Sequence, residues 1–415
     1  MTADLLQTLP KSAPRELDLT SRDHLDAVRS MADELEGVAT SSAQLQMLET
    51  QISTDDAVPV SFRVAVKLAT SRFLLGELKA PVHVSLVLAV YKENLRILTA
   101  QEHPAGEDFL REKLRQLRWL FEPTPRHTWD LTVVDDGCPQ GSGRLAQAVL
   151  KEFARPEEEV QVLFLEDAIR EGLSIVGNLD STGGSQKGGA VRLGLWNAVQ
   201  KHRGPNHVVA FTDADLSTHV GQLGLLASPL AEAGVCCAVG SRREPSSVVV
   251  KAGARNARGK LFIYLWKRLI PQLRGIVDTQ CGFKAFDAVH LSSWIEDVQD
   301  NGFSFDVELL LRLQLLRPGS IRKVPIAWID SEAASTTTEL EPYLPMLKSV
   351  TRLYRGELPS SPLSEPFAGL IERLDEGSFR ELAANVPAQI ADRDPSGFDD
   401  FVGVSADDLA GAAGL

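Results

Sequence analysis

Between Pro81 and Arg355, short apolar runs alternate with stretches whose apolar residues recur at helical spacing. Six runs are predicted as strands: His83–Val90, Leu131–Val134, Val160–Leu165, His207–Thr212, Val235–Val239 and Ile321–Trp328. Helical patterns lie between them, near Arg144–Phe153, Ala190–Gln200, Leu223–Ala233 and Val307–Leu316. This alternation predicts an α/β fold in which helices flank both faces of a mostly parallel sheet.

The segments on either side of this alternation differ from it in pattern and charge. Residues 1–80 show helical spacing, as in Leu25, Val28, Met31 and Leu35, and predict a helical N-terminal extension for packing or homo-oligomerisation. Residues 356–415 are predicted to be a linker and an acidic tail, because positions 361–415 hold 11 acidic and three basic residues. A tail of this charge would repel an anionic substrate, so we expect it to be dispensable for chemistry.

Composition excludes several broad classes. The net charge of −13 argues against a general nucleic-acid binder. The four cysteines have no paired spacing, which argues against a disulfide framework and a zinc ribbon. No stretch has the character of a membrane span, and the beginning of the chain does not resemble a signal peptide. We therefore expect a cytoplasmic protein.

Pairs of carboxylates follow two of the predicted strands. Asp135 and Asp136 come after the second strand, where one carboxylate could accept hydrogen bonds from a nucleobase or a ribose, or could cap a helix. Asp213 and Asp215 come after the fourth strand, where two carboxylates one residue apart can hold a divalent cation. Ligands of open α/β sheets bind beyond the carboxyl ends of the strands, so these positions are where a site is expected.

Basic and glycine-rich segments lie near other predicted strand ends. The segment around Lys187 and Gly188 precedes a helix, where backbone N–H groups and the lysine could approach an anion. Arg242 follows the fifth predicted strand and offers a planar fork suited to phosphate oxygens. Each feature also occurs in ordinary solvated loops, so none of them identifies a site by itself.

In combination, the motifs form an ordered series. A-V-Y-K-E, V-V-D-D-G, K-G-G-A-V-R-L-G, D-A-D-L, G-S-R, D-T-Q-C-G-F-K-A-F and F-D-V-E-L-L follow one another along the chain. The series resembles family 2 glycosyltransferases of the GT-A fold, in particular the dolichyl-phosphate β-glucosyltransferase and polyprenyl-phosphate glycosyltransferase branch. The resemblance covers residues 81–355, which we interpret as a GT-A glycosyltransferase domain.

The resemblance implies inverting, metal-dependent transfer of a hexose from a nucleotide-diphosphate sugar, with UDP-glucose favoured and Mg²⁺ or Mn²⁺ as cofactor. The implied metal ligands are Asp213 and Asp215. Together with the strand-end features above, it gives a donor-binding set of Ala89, Tyr91, Glu93, Asp135, Asp136, Lys187, Gly188, Asp213, Arg242 and Lys284.

The acceptor implied by the resemblance is a polyprenyl-phosphate-type lipid, whose phosphate oxygen is already anionic and needs no general base. The alternative is a soluble hydroxyl acceptor, a small molecule or a saccharide, which would need a base; Asp278 and Asp306 are the candidates. A different class is a glycosyltransferase-like binding scaffold without strong catalysis. A phosphatase of the haloacid dehalogenase type, with Asp213 as nucleophile, leaves D-T-Q-C-G-F-K unexplained.

A basic stretch separates Arg242 from Asp278. Residues 245–277 contain seven Lys or Arg and no Asp or Glu, and aromatic and aliphatic side chains are interleaved with the basic ones. This composition predicts an interfacial helix between residues 251 and 274 that touches an anionic acceptor or a membrane surface. The alternative is a helix packed in the core with one solvated basic edge.

Overall fold

The computed structural model describes residues 13–250, 256–330 and 343–415. Its strands are β1 (His83–Val90), β2 (Thr128–Asp135), β3 (Glu159–Phe164), β4 (His207–Thr212), β5 (Cys237–Ser241), β6 (Val248–Val250), β7 (Phe283–Asp287), β8 (Ile321–Pro325) and β9 (Ala327–Ile329). Seven of them form one sheet in the order β3-β2-β1-β4-β7-β5-β8, and β6 pairs with β9 in a second sheet. All pairings are parallel except those of β7, which is antiparallel to β4 and β5.

The helices flank the main sheet. They are α1 (Arg22–Val38), α2 (Ser42–Ile52), α3 (Val60–Glu77), α4 (Phe109–Phe121), α5 (Ser142–Phe153), α6 (Leu165–Glu171), α7 (Gly188–Gln200), α8 (Leu223–Leu230), α9 (Asn256–Leu269), α10 (Ala288–Ser292), α11 (Phe305–Leu316), α12 (Tyr343–Glu357), α13 (Glu365–Arg373), α14 (Glu376–Ala384), α15 (Ala388–Ala391) and α16 (Ala406–Ala412). The predicted α/β fold with a mostly parallel sheet is confirmed.

Alternation along the central strands explains why both faces of the sheet are covered. Leu86 and Leu88 of β1 belong to a buried cluster with α4, α5 and α8, whereas Val87 belongs to a second cluster with α7, α9 and α11. Side chains of neighbouring residues in a strand point to opposite faces, so an apolar residue at every position requires a helix layer on each side.

The main difference from the predicted strands is β7. The sequence from Phe283 to Asp287 was expected to be a functional motif and has a lysine at its second position, so it lacks the signature of a buried strand. It nevertheless lies in the middle of the sheet, because Lys284 forms a buried ion pair with Asp306 of α11. The predicted strand Ile321–Trp328 is divided into β8 and β9, since Ile326 leaves the main sheet and β9 pairs with β6.

The N-terminal helices belong to the same folded body as the sheet. Leu35 of α1 and Phe62 of α3 lie in a buried cluster that includes Val248 and Ile329 of the small sheet. The ion pair between Arg29 of α1 and Glu112 of α4 is almost inaccessible to solvent. The apolar positions that predicted packing or oligomerisation are therefore used within the chain, and homo-oligomerisation stays a prediction.

The C-terminal residues correct one expectation. Positions 356–415 are not a loose linker and tail, because α13 to α16 bury Phe367, Leu370, Phe379 and Leu409 against the rest of the chain. Part of the acidic charge of this segment is used in these contacts: Asp399 pairs with a lysine of α9. Removal of the segment would uncover a large apolar surface, so a truncated chain should be less stable. Its dispensability for chemistry stays a prediction.

The predicted interfacial helix is instead a core helix. In α9, Leu261, Tyr264, Leu265 and Trp266 are at most 1% exposed. Tyr264 donates its hydroxyl hydrogen to the carbonyl of Val404 at 2.6 Å, so the C-terminal segment covers this face. These apolar side chains are therefore not available to a membrane surface, as the alternative of a core helix predicts. Contact of the basic stretch with an anionic acceptor stays a prediction, and residues 251–255 lie outside the described residues. Among the described helices, none is long and apolar enough to cross a membrane.

Candidate active site

The carboxyl ends of β1, β2, β4 and β5 meet at one edge of the sheet, and most of the predicted site residues lie there. Asp213 follows β4 directly and is held from behind: its backbone N–H donates to the carbonyl of Gly282 at 3.1 Å. A Cβ atom on Gly282 would lie 2.3 Å from a carboxylate oxygen of Asp213. Only glycine fits there, so the D-T-Q-C-G-F-K motif shapes the seat of the first D-x-D carboxylate.

The two D-x-D carboxylates have different surroundings. Asp213 forms an ion pair with Lys187, and although burial opposes its ionisation, Lys187 holds its pKa below the ordinary range. Asp215 accepts a hydrogen bond from the backbone N–H of Ser217 at 3.0 Å, and its nearest cation is Arg96 at 3.9 Å. Burial and the negative charge of Asp213 raise the pKa of Asp215. Asp215 is therefore the carboxylate of the pair with incomplete charge compensation.

This arrangement fits a divalent cation. Both side chains are about one-third exposed, so they are accessible from solvent, and a cation would relieve the repulsion that raises the pKa of Asp215. Among the described residues, no group of three or more Asp, Glu, His or Cys converges on one point. Mg²⁺ is commonly held by one or two carboxylates, with waters and substrate phosphates completing its shell. Two carboxylates are thus a sufficient protein contribution.

The loop before α7 is fastened to the end of β2 by Asp136. One carboxylate oxygen accepts from the hydroxyl of Ser185, and the other accepts from the backbone N–H of Lys187 at 2.7 Å. Lys187 has a φ of +74°, a left-handed conformation that is costly for a residue with a Cβ atom. Burial raises the pKa of Asp136 to about 6 against these hydrogen bonds. Asp136 thus holds Lys187 where its ammonium meets Asp213.

Asp135 and Gly188 also have backbone roles. Asp135 accepts from the backbone N–H groups of Cys138 at 2.8 Å and Gly143 at 2.6 Å, the arrangement that the helix-capping alternative predicts. A Cβ atom on Gly188 would lie 2.5 Å from the carbonyl oxygen of Gly302, so this glycine allows two loops to touch. Direct contact of either residue with a donor stays a prediction.

The end of β1 supplies one exposed and one buried candidate. Ala89 is half-buried near the strand end, and Tyr91 is 44% exposed, which leaves its ring accessible to a ligand. Glu93 is buried and pairs with Arg96 at 3.0 Å. Burial, together with the negative charge of Asp215, raises the pKa of Glu93 to about 7. The predicted nucleoside contacts of these three residues stay predictions.

Arg242 and Asp278 neutralise each other. The guanidinium donates to both oxygens of Asp278, at 2.9 and 2.7 Å, and the backbone N–H of Arg242 donates to the same carboxylate at 2.8 Å. Although burial opposes ionisation, Arg242 holds the pKa of Asp278 at about 2. A general base must take up a proton near neutral pH, so this environment makes Asp278 poorly suited to that role.

Lys284 and Asp306 form the second neutralised pair. Lys284 is fully buried, and its ammonium donates to Asp306 and to the carbonyl of Cys281. Burial raises the pKa of Asp306, against the opposing effect of Lys284. The pair stabilises the middle of the sheet, and the predicted phosphate contact of Lys284 would require it to leave this position.

Three charged residues at the site were missed from the sequence: Arg96, Glu107 and Lys113. Arg96 binds both oxygens of Glu107 at 2.9 Å and links Glu93 to Asp215. Lys113 of α4 is fully buried, and its ammonium has no hydrogen-bond partner in the described residues. Burial lowers its pKa to about 8, while Asp215 and Asp213 act in the opposite direction. The signal for Lys113 was its place on the apolar face of α4, between Leu110 and Leu114.

Comparison with known proteins gives consistent relatives. The chain is 27% identical over 264 residues to a dolichyl-phosphate β-glucosyltransferase of Drosophila melanogaster, covering 61% of this chain and 69% of the relative. It is 24% identical over 269 residues to the Saccharomyces cerevisiae enzyme of that name, covering 63% and 71%. No protein-family model matches the chain.

Among solved structures, glucosyl-3-phosphoglycerate synthase of Mycobacterium tuberculosis aligns with a TM-score of 0.46 at 17% identity, covering 71% of this chain and 86% of that one. The sequence relatives are glycosyltransferases, which confirms the resemblance and the predicted enzyme class. The chain is thus similar in sequence to the dolichyl-phosphate β-glucosyltransferases, as the order of its motifs predicts.

Proposed function

We propose that this protein is an inverting, metal-dependent glycosyltransferase that takes a hexose from a nucleotide-diphosphate sugar, with UDP-glucose favoured. The observation that carries the proposal is the pair Asp213 and Asp215 at the end of β4, in which Asp215 lacks full charge compensation. The name of the sequence relatives, dolichyl-phosphate β-glucosyltransferase, states that they transfer a glucosyl group, and this supports hexosyl transfer.

The leaving group in such a transfer is a nucleoside diphosphate, and negative charge develops on it as the bond to the sugar breaks. A bound Mg²⁺ or Mn²⁺ would neutralise part of that charge. Asp213 and Asp215 would hold the cation, and Lys187 would add a positive charge beside Asp213. Asp136 fixes the loop that carries Lys187, so this ammonium is positioned before the substrate arrives.

The neutralised carboxylates support a phosphate acceptor. Both candidate bases, Asp278 and Asp306, are paired with a cation, and in Asp278 both carboxylate oxygens accept from Arg242. A polyprenyl-phosphate oxygen is anionic already and needs no base. The acceptor that we propose is therefore a polyprenyl-phosphate-type molecule, as in the relatives' name.

A second acceptor class is favoured by one observation. The apolar side chains of α9, which would be needed for an interfacial helix, are covered by the C-terminal helices. This removes the strongest local argument for membrane contact and supports a water-soluble acceptor. The two classes differ in their need for a base. With a hydroxyl acceptor the rate should collapse in either Asp278→Asn or Asp306→Asn, whereas with a phosphate acceptor neither variant should remove a required base.

The donor half of the proposal can be tested by titrating UDP into the full chain with and without Mn²⁺. Asp215→Asn should abolish the metal-dependent part of UDP binding while leaving the fold intact. Asp287→Asn, in a surface ion pair with His290, is the matched control and should bind as the unmodified chain does. Undiminished UDP binding and turnover in EDTA would contradict the proposal.

A further inference from the structure

A cavity of about 410 Å³ lies beside the loop that precedes α7 and is separate from the D-x-D carboxylates. Its walls are Gly184 and Gln186 of that loop, the segment 299–304, and parts of α11 and α12. The loop and the segment are joined, because the backbone N–H of Gln186 donates to the carbonyl of Asn301 at 2.8 Å. The volume lies within the range of about 300–1,000 Å³ that is usual for small-molecule sites.

Two of the carboxylates that line this cavity are already saturated. Glu308 accepts from the backbone N–H groups of Gln299 and Asp300 and from the guanidinium of Arg312. Asp300 accepts from the backbone N–H of Gly302 and from two serine hydroxyls. These carboxylates shape the wall, and few of their lone pairs remain for a ligand.

Other polar groups of the cavity lining can still form hydrogen bonds with a ligand. Within the described part of the chain, the side chains of Arg352 and Gln186 have no hydrogen-bond partner, and only one oxygen of Glu357 is engaged, by Arg312 at 3.1 Å. Together they offer guanidinium and amide donors and carboxylate and amide acceptors. The half-buried ring of Phe303 adds an apolar surface to the same lining.

The charge of the lining decides between ligand classes. Asp300, Glu308 and Glu357 outnumber Arg312 and Arg352 by one negative charge, which opposes the binding of an anion such as phosphate. A neutral molecule with many hydroxyl groups can donate to the carboxylate and accept from the arginine and the amide. Its C–H faces can also pack on an aromatic ring, so the lining suits a polyhydroxyl molecule.

We propose that this cavity is a binding site for a sugar-class ligand, a monosaccharide or the end of an oligosaccharide. Gln186 lines it, and the next residue, Lys187, reaches Asp213, so a bound sugar would contact the loop that carries the donor-side lysine. The proposal goes beyond the transfer reaction proposed above, because binding here needs neither the metal nor the nucleotide.

The test is saturation-transfer NMR on the full chain with maltose and with glucose as probes. We expect saturation transfer to at least one of these sugars, and a loss of affinity of about tenfold or more in Arg352→Ala and Glu357→Gln, as for a charged hydrogen bond. Arg355→Ala is the matched control, because Arg355 lies on the same helix but pairs with Glu365 and Glu372. Its affinity should not change.

If neither sugar receives saturation from the protein, or if the affinity is unchanged in both lining variants, the proposal is overturned. Binding of inorganic phosphate in place of the sugars, lost in Arg352→Ala, would overturn it in favour of an anion site. Titration of Mn²⁺ and UDP into the same samples keeps the two proposals apart. If sugar binds while UDP and Mn²⁺ do not, the donor proposal fails and this one stands; the converse result separates them equally well.

Discussion

Two buried carboxylates at opposite ends of the parallel strands, Asp130 and Glu93, have opposite surroundings. At the amino end, Asp130 accepts from His83, Ser85 and Lys201, at 2.7 to 2.8 Å. Although burial opposes ionisation, these partners lower its pKa to about 2. At the carboxyl end, the pKa of Glu93 is raised to about 7. The charge of Asp130 is thus fully compensated, whereas the charges of Glu93 and Asp215 are not, although Asp213 and Asp278 at the same end each have a cation partner.

The difference between Asp130 and Glu93 indicates a structural role for the first carboxylate and a binding role for the second. A carboxylate with several partners fixes the register of neighbouring strands, and its charge is unavailable to a ligand. Carboxylates with raised pKa values hold unfavourable charge that a bound cation can relieve, and such groups cluster at functional sites. The uncompensated charges of Glu93 and Asp215 therefore lower the stability of the fold, and we infer that they serve binding. Three variants test this contrast.

The largest expected effect is at the amino end. Asp130→Ala leaves Lys201 and the hydroxyl of Ser85 without their buried partner, so it should lower the free energy of unfolding by about 3–5 kcal/mol. The measurement is urea unfolding at pH 7. The control is Asp287→Ala, which removes a half-buried helix cap and should cost about 1 kcal/mol. An equal decrease in the free energy of unfolding in the two variants would contradict the structural role of Asp130.

The second variant is Glu93→Gln at the carboxyl end. Because the folded pKa of about 7 lies above the ordinary 4.5, ionising Glu93 costs folding free energy as the pH rises from 4.5 through 7. Between pH 5 and 8 the stability of Glu93→Gln relative to the unmodified chain should therefore rise, by about 2 kcal/mol. Urea unfolding at both pH values measures it, with the exposed Glu102→Gln as control. A relative stability that is constant with pH would contradict the contrast.

The smallest effect is at Lys113, whose buried ammonium lies within the field of both D-x-D carboxylates. If the positive charge of Lys113 repels a bound metal ion, Lys113→Met should bind Mn²⁺ about tenfold more tightly. The measurement is titration followed by electron paramagnetic resonance, with exposed Lys151→Met as the control. If Lys113 has only a structural role, Lys113→Met should weaken Mn²⁺ binding, because the positions of Asp213 and Asp215 would be distorted. Lys113→Arg keeps the charge and should stay close to the unmodified affinity.

The extent of the fold that could be predicted follows from what local patterns encode. Apolar runs gave β1 and β4 with their observed bounds, because buried parallel strands are apolar at almost every position. The rule that ligands lie beyond strand carboxyl ends brought Asp136, Lys187 and Asp213 to the same edge. Each strand, and the residue that follows it, can be predicted from the local sequence alone.

Pairing between distant residues was not predictable in the same way. Asp278 reads as a free carboxylate until Arg242, 36 positions earlier, is found to occupy both its oxygens. Lys284 was likewise predicted to contact a phosphate, but its charge is compensated inside the sheet by Asp306, 22 positions later. The basic helix α9 looked interfacial because nothing in its own sequence indicates which distant segment covers it.

The covering of α9 by the last described helices has a consequence for synthesis. Tyr264 and the carbonyl group of Val404 that it contacts are 140 positions apart. At a translation rate of about 5–20 residues per second, the aromatic face of α9 waits on the order of 10 s for its cover. During that interval a nascent chain exposes Trp266 and Tyr264 together with neighbouring lysines and arginines, a surface to which a chaperone could bind. The covering of this face is therefore a late event relative to the synthesis of α9 itself.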